Sequence, residues 1–193
     1  MKAKAIVRIS NTKIELNGNV QFKHIADGRR ELPLKLIYNE LEINYPKFYK
    51  MDNLSKLGFL GVEMLKKVID FNSFESDRIA QIFQNSYSSL DTDVVHQQLI
   101  NEEKMPSPAI FVYTLPNIVM GEIAIRNKFY GENLFTLVDE FLPQKWIQLV
   151  SLQFKAGKAD AVVGGWIEIF KNNFDLRLFF IDKLDYQVGF KVI

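Results

Sequence analysis

Cysteine is missing from the chain altogether, and histidine occurs only twice, at His24 and His96. The first absence excludes disulfides, thiolate metal sites and a cysteine nucleophile. The second excludes a histidine-rich metal cluster. An excess of one charge is lacking too: 24 basic against 23 acidic residues leave a formal charge of +1. Neither sign gathers into a run, so nucleic acid is not expected as a partner. Long apolar runs are also scarce. The most apolar stretch, 108–125, is broken by Pro116, Asn117 and Glu122 and falls short of the roughly 20 apolar residues of a membrane span. Residues 1–10 intersperse Lys2, Lys4 and Arg8 with short apolar side chains and carry no continuous apolar core of a secretory signal. A membrane is therefore not expected as a partner, and a cytoplasmic location is the default expectation.

What is present is a core. The 193 residues are 48% hydrophobic and 13% aromatic, enough to bury one sizeable interior, and 1–193 reads as a single domain. Lys4 to Ser10, with Ile6, Val7 and Ile9, and Lys13 to Leu16 are strand candidates. Asn17 and Gly18 tolerate the positive φ of a tight hairpin turn, with Val20 to Phe22 as the returning strand. Asp27 to Arg30 reads as a loop, while Leu32 to Tyr45 has no clear period. Leu54, Leu57, Leu60, Met64, Leu65 and Val68 fall at helical intervals behind a cap at Asp52 or Asn53.

Arg78 to Phe83 reads as a buried strand, Asn85 to Ser89 as a polar turn, and Thr92 to about Asn101 as a helix. Pro106, Pro108 and Pro116 then interrupt the chain beyond that helix. Pro143 suits a first helical position, Trp146, Leu149, Val150 and Phe154 share one face, and Gly157 suits a left-handed carboxy-terminal cap. Ala159 to Phe170 is apolar on both sides, as in a strand covered on both faces. Leu176 to Ile181 and Tyr186 to Val192 are two further strand candidates. Strands alternating with helices predict a layered α/β fold.

Three stretches carry a resemblance. The first is Tyr45, Pro46, Lys47, Phe48, Tyr49, Lys50, Met51 and Asp52, leading into the capped helix. The second is Ser107, Pro108 through Phe111, Thr114, Leu115, Pro116, Asn117 and Gly121 to Ala124. The third is Gly131 through Asn133, then Ala156 to Asp160 and Gly164 to Glu168. In this order and spacing they resemble the amino-terminal half of β-ketoacyl-acyl carrier protein synthases of the thiolase fold. The resemblance implies a layered, thiolase-like half fold with a mixed sheet and covering helices. It also implies a reactive cysteine at the head of the helix from Pro143 to Ala156, where dipole and amides favour a thiolate. Spacing in the family places that position near Asp139 or Glu140. A carboxylate is a poor acceptor for thioester transfer, and the family's carboxy-terminal histidine or lysine elements have no counterpart in these residues.

The resemblance thus implies a non-catalytic, chain-length-factor-like subunit that forms a heterodimer with a cysteine-bearing β-ketoacyl synthase and works on chains carried by acyl carrier protein, in fatty acid, polyketide, aryl polyene or flexirubin-type synthesis. Phe111, Thr114, Leu115, Asn117, Met120 and Ile123 are the expected interface or tunnel residues. No cofactor and no metal is expected. The plainer alternatives are specific. Asp139 and Glu140 read first as solvated carboxylates at a helix start, ahead of a direct role in the partner's site. His96, three residues after Asp93, reads as a surface residue, and His24 has no motif around it. Gly164 and Gly165 suit the approach of a ligand or, equally, close packing of helix on strand, and Trp166, Phe170, Phe174, Phe179 and Phe180 suit core or interface. A stand-alone scaffold for acyl carrier protein or an acyl chain is the rival function. A decarboxylase using Glu140 is weaker, because no histidine is placed to assist it.

Overall fold

The computed structural model describes residues 3–23, 34–103, 105–171 and 173–188. Three strands open the chain: β1 (Ala5–Ser10), β2 (Lys13–Leu16) and β3 (Asn19–Lys23). The β2–β3 turn is the one expected, with Asn17 at φ 52° and Gly18 at φ 80°. Helix α1 (Leu34–Glu40) follows, then a 3-10 turn at Pro46–Lys50, and α2 (Asn53–Leu65). Leu32 to Tyr45, without a period in sequence, therefore contains a helix. It is only two turns long and buries Leu34, Ile37 and Tyr38, too short for its spacing to stand out. Asp52 caps α2 as expected, accepting from the Ser55 amide at 2.9 Å.

The second half alternates: β4 (Ile79–Asn85), α3 (Leu90–Glu103), α4 (Pro108–Phe111) continuing as a 3-10 turn at Val112–Thr114, α5 (Ile118–Asn127), β5 (Asn133–Leu137), α6 (Pro143–Lys155), β6 (Ala161–Phe170), β7 (Asn173–Asp182) and α7 (Lys183–Val188). The expected strand from Tyr186 to Val192 is corrected, because Tyr186 lies in α7. Its ring packs edge-on against Phe154 and its hydroxyl hydrogen-bonds Ser151, contacts that hold a helix onto α6. Residues 189–192, like His24 and the loop expected at Asp27 to Arg30, lie outside the described residues.

One seven-stranded sheet runs β3-β2-β1-β7-β6-β4-β5. Its first five strands pair antiparallel, whereas β4 pairs parallel with both β6 and β5. Alternate residues of β4 serve two interiors: Ile79 and Phe83 join α2 and α5, while Ala80 and Ile82 join Trp146, Val150 and Phe154 of α6. Helices thus cover both faces, which is why β6 is apolar at every position but Glu168. This is the layered α/β architecture with a mixed sheet that the sequence led us to expect. Gly164 and Gly165 are explained differently from expectation. A Cβ at Gly164 would stand 1.9 Å from the Ile82 carbonyl oxygen, and one at Gly165 2.1 Å from that of Arg177, so they permit strand-on-strand contact rather than helix-on-strand. Trp166, Phe174, Phe179 and Phe180 are buried, and Phe170 stacks on Tyr87 at 4.5 Å.

Among the described residues no single helix is long and apolar enough to cross a membrane. The apolar pair Pro108–Thr114 and Ile118–Asn127 bends by 101° between its halves.

Candidate functional site

From β4 the chain crosses one face of the sheet to β5, then returns across β4 over the other face to β6. The carboxyl ends of three parallel strands consequently lie together. In open α/β sheets this is where ligands gather.

Asp139 and Glu140 sit at that edge. Gln84 donates to the Thr136 hydroxyl at 2.9 Å, and the Val138 amide donates to the Asn85 carbonyl at 2.9 Å, so the chain is fixed to β4 up to the residue before Asp139. Immediately after Glu140, Phe141 lies against Trp146, Trp166 and Phe179 at centroid distances of 6.3, 6.1 and 6.0 Å. Trp146 in turn donates its indole N–H to the Ile82 carbonyl at 2.9 Å. Two exposed carboxylates are thereby held between two anchored neighbours. They do not cap α6: its cap is Leu142, which makes no side-chain bond, followed by Pro143.

The turn Asn85–Ser89 joins this edge to the second expected segment. Asn85 is fully buried and satisfies itself locally, donating to the Ser88 carbonyl at 2.8 Å and accepting from the Ser88 amide at 3.0 Å. The Ser86 amide donates to Glu168 of β6 at 2.7 Å. On the opposite side the Ser89 hydroxyl donates to the Thr114 carbonyl. The turn therefore touches the segment 111–117 on one flank and pairs with the strand leading to Asp139 on the other.

Within that segment the expected residues divide. Phe111 is 58% and Leu115 52% exposed, Asn117 is exposed and Thr114 half-buried. Met120 and Ile123 instead point inward, 3% and 0% exposed, and belong to the core that α5 makes with α2 and the sheet.

His96 is not a plain surface residue. Its ring lies 5.6 Å from that of Phe111, and its Nε2 is buried without a hydrogen-bond partner. Asp93, one turn earlier, has its carboxyl pushed above the usual carboxylate range by burial, with His96 and Ser89 opposing the shift.

Sequence reasoning passed over one group. Glu122, which in sequence only breaks an apolar run, is buried at 5% exposure. Its Oε2 lies 2.7 Å from Lys47 Nζ, and its Oε1 accepts from the Tyr113 hydroxyl at 2.9 Å. Burial, then the bond to Glu122, raises the Tyr113 phenol well above its ordinary value. A lone acidic residue in the most apolar stretch was the available signal, since a buried charge demands partners.

No protein-family model matches the chain, and no curated protein matches it by sequence. Solved structures do. A chain of the ishigamide ketosynthase/chain length factor aligns with a TM-score of 0.70 over 94% of this chain at 11% identity. A chain of AntDE:AntF, a type II polyketide synthase acyl-carrier protein in complex with its ketosynthase bound to the hexaketide, aligns at 0.65 over 97% with 13% identity. A chain of the ketosynthase ApeO in complex with its chain length factor ApeC from Xenorhabdus doucetiae aligns at 0.56 over 73% with 14% identity. The chain spans 62%, 64% and 62% of those chains respectively. At such identities the likeness concerns architecture, and it shows that this protein shares the thiolase-like α/β fold of the matched part of those chains.

Proposed function

We propose that this chain is a non-catalytic, chain-length-factor-like subunit that pairs with a cysteine-bearing β-ketoacyl synthase in polyketide, aryl polyene or fatty acid synthesis. The observation that carries the reading is chemical. In an architecture shared with chains of ketosynthase assemblies, the residues of the turn that leads into α6 are the exposed carboxylates Asp139 and Glu140, and the chain has no cysteine to serve as acyl acceptor. A carboxylate cannot replace a thiolate in thioester exchange at useful rates.

Strand β5 supports a partner. It ends the sheet, bonded only to β4 among the described strands, and it carries neither proline nor lysine to discourage pairing. Such an edge is a template for a strand from another chain. The exposed Phe111, Leu115 and Leu137 stand beside or beyond the same region of sequence and supply apolar contact. In this reading the 111–117 segment and Glu140 face the partner's acyl tunnel and limit the length of a chain delivered by acyl carrier protein.

The test is co-expression with the ketosynthase encoded nearest to it, followed by size-exclusion chromatography with light scattering and an extension assay. A one-to-one complex that extends acyl chains only with both proteins present is the expected result. The same edge strand would also serve a homodimer, the basis of the rival scaffold reading. A stable homodimer that ignores every ketosynthase offered would establish that rival instead.

A further inference from the structure

We infer that Tyr113 and Glu122 form a latch that sets the position of the segment 108–115, with Lys47 neutralising the buried carboxylate. This segment has little apolar anchorage. Neither α4 nor its 3-10 continuation buries a single side chain, and Phe111, Val112 and Leu115 are 58%, 47% and 52% exposed. Apolar burial, which holds most of the molecule together, is therefore a minor force here, and segments with few buried contacts open first.

Two polar ties to neighbouring elements take its place. One is the Ser89 hydroxyl bonded to the Thr114 carbonyl. The other is the Tyr113 hydroxyl donating at 2.9 Å to Glu122, whose helix α5 is fixed by Val119, Met120 and Ile123 in the core. A phenol bonded to a buried carboxylate is a charge-assisted contact and the stronger of the two. Removing the phenol hydroxyl leaves the segment attached through the Ser89 bond, the Phe111 ring against His96 and the Tyr113 ring against the core, none of which fixes it to the Glu122 carboxylate. Lys47, on the 3-10 turn before α2, places its ammonium 2.7 Å from the other carboxylate oxygen of Glu122 and so gives the buried side chain a second partner. Buried ion pairs contribute little to stability but are well suited to specifying one arrangement. Tyr113 is thus a positioning residue: it acts through Glu122, and it decides where Phe111 and Leu115 stand.

The functional consequence rests on the proposed role of 111–117 at a partner's acyl tunnel. The experiment separates the two. Hydrogen exchange of the isolated protein is compared for wild type, Tyr113→Phe and Glu122→Gln. Tyr113→Phe, which keeps the ring, is expected to speed exchange of amides 110–115 by about tenfold or more while α2 and α6 stay unchanged. Glu122→Gln retains an acceptor for the phenol but loses the charge, and is expected to lie between. Unchanged exchange in 110–115, or an equal rise everywhere, would overturn the latch. With the nearest-encoded ketosynthase added, Tyr113→Phe is expected to broaden the distribution of product lengths without abolishing pairing. A loosened segment with an unaltered distribution would overturn its link to chain length. If wild type pairs with no ketosynthase, the proposed function falls, and the exchange result alone decides the latch.

Discussion

Helices α2 and α3 differ by one residue in length, 13 against 14, yet they are held by different forces. Ten residues of α2 are buried, and its glycines let it approach closely: a Cβ at Gly58 would lie 2.4 Å from Val119 and one at Gly61 2.4 Å from Leu176. No described residue of α3 is buried, and Val94 and Val95 are 46% and 47% exposed. Its first turn is instead tied by hydrogen bonds, from Thr92 to Asp52 at 2.9 Å and from the Lys171 amide to Asp91 at 2.7 Å. One helix builds the fold. The other lies on the outside of the fold, where few of its side chains contribute to the core.

The contrast can be broken or sharpened by substitution. Leu57→Ala on α2, at 0% exposure, is expected to lose about 3 kcal/mol by transfer and cavity terms, read from urea denaturation. A loss under about 1 kcal/mol would mean that α2 is not the keystone described. Lys47→Met leaves Glu122 buried without its cation. Because the Lys47 side chain is 40% exposed, the expected loss is reduced to about 2 kcal/mol, again from denaturant midpoints.

A titration probes the same junction. The Tyr113 phenol is raised above its ordinary value, chiefly by burial, so the folded state holds its proton more tightly than the unfolded state does. This contribution is complete below the ordinary phenol range of about pH 10 and is lost as pH rises through the folded value. Absorbance titration is expected to show one tyrosine ionising after the others, and Tyr113→Phe to flatten the alkaline fall in stability. Simultaneous ionisation of all tyrosines would remove this account. On α3, Thr92→Ala is expected to cost about 1 kcal/mol through the bond to Asp52. Val94→Ala should change stability by no more than about 0.5 kcal/mol, measured by the same denaturation.

Three helices were legible in the sequence: α3, between the polar turn at Asn85 to Ser89 and the prolines that follow it, and two with one wide apolar stripe and explicit ends. Asp52 and the leucines that follow it marked α2, and Pro143 with Gly157, at φ 67°, marked α6. Strand β5 escaped notice because Asn133 to Leu137 is a short edge strand with no fully buried residue, and nothing in its composition separates it from a loop. Tyr186 misled in the opposite sense, since its apolar body meets Phe154 across a helix interface rather than a sheet. The candidate site divided in the same way. Asp139 and Glu140, which the resemblance singled out, lie exposed at the carboxyl edge of the sheet, whereas the 3.6-residue period of α5 turned Met120 and Ile123 inward.

By itself the sequence determined the class of fold and the missing chemistry: strand and helix periods dictate layers, and a chain without cysteine has no thiolate whatever its shape. Only the tertiary structure decided which residues meet. The turn Asn85–Ser89 contacts Thr114 through Ser89 and pairs with Val138 through Asn85, while Glu122 is joined to Tyr113 and Lys47. The reason is physical: local pattern records which side of an element is apolar, but a buried charge is satisfied by whatever partners chain crossings bring within about 3 Å, and those crossings are set by packing of the whole sheet.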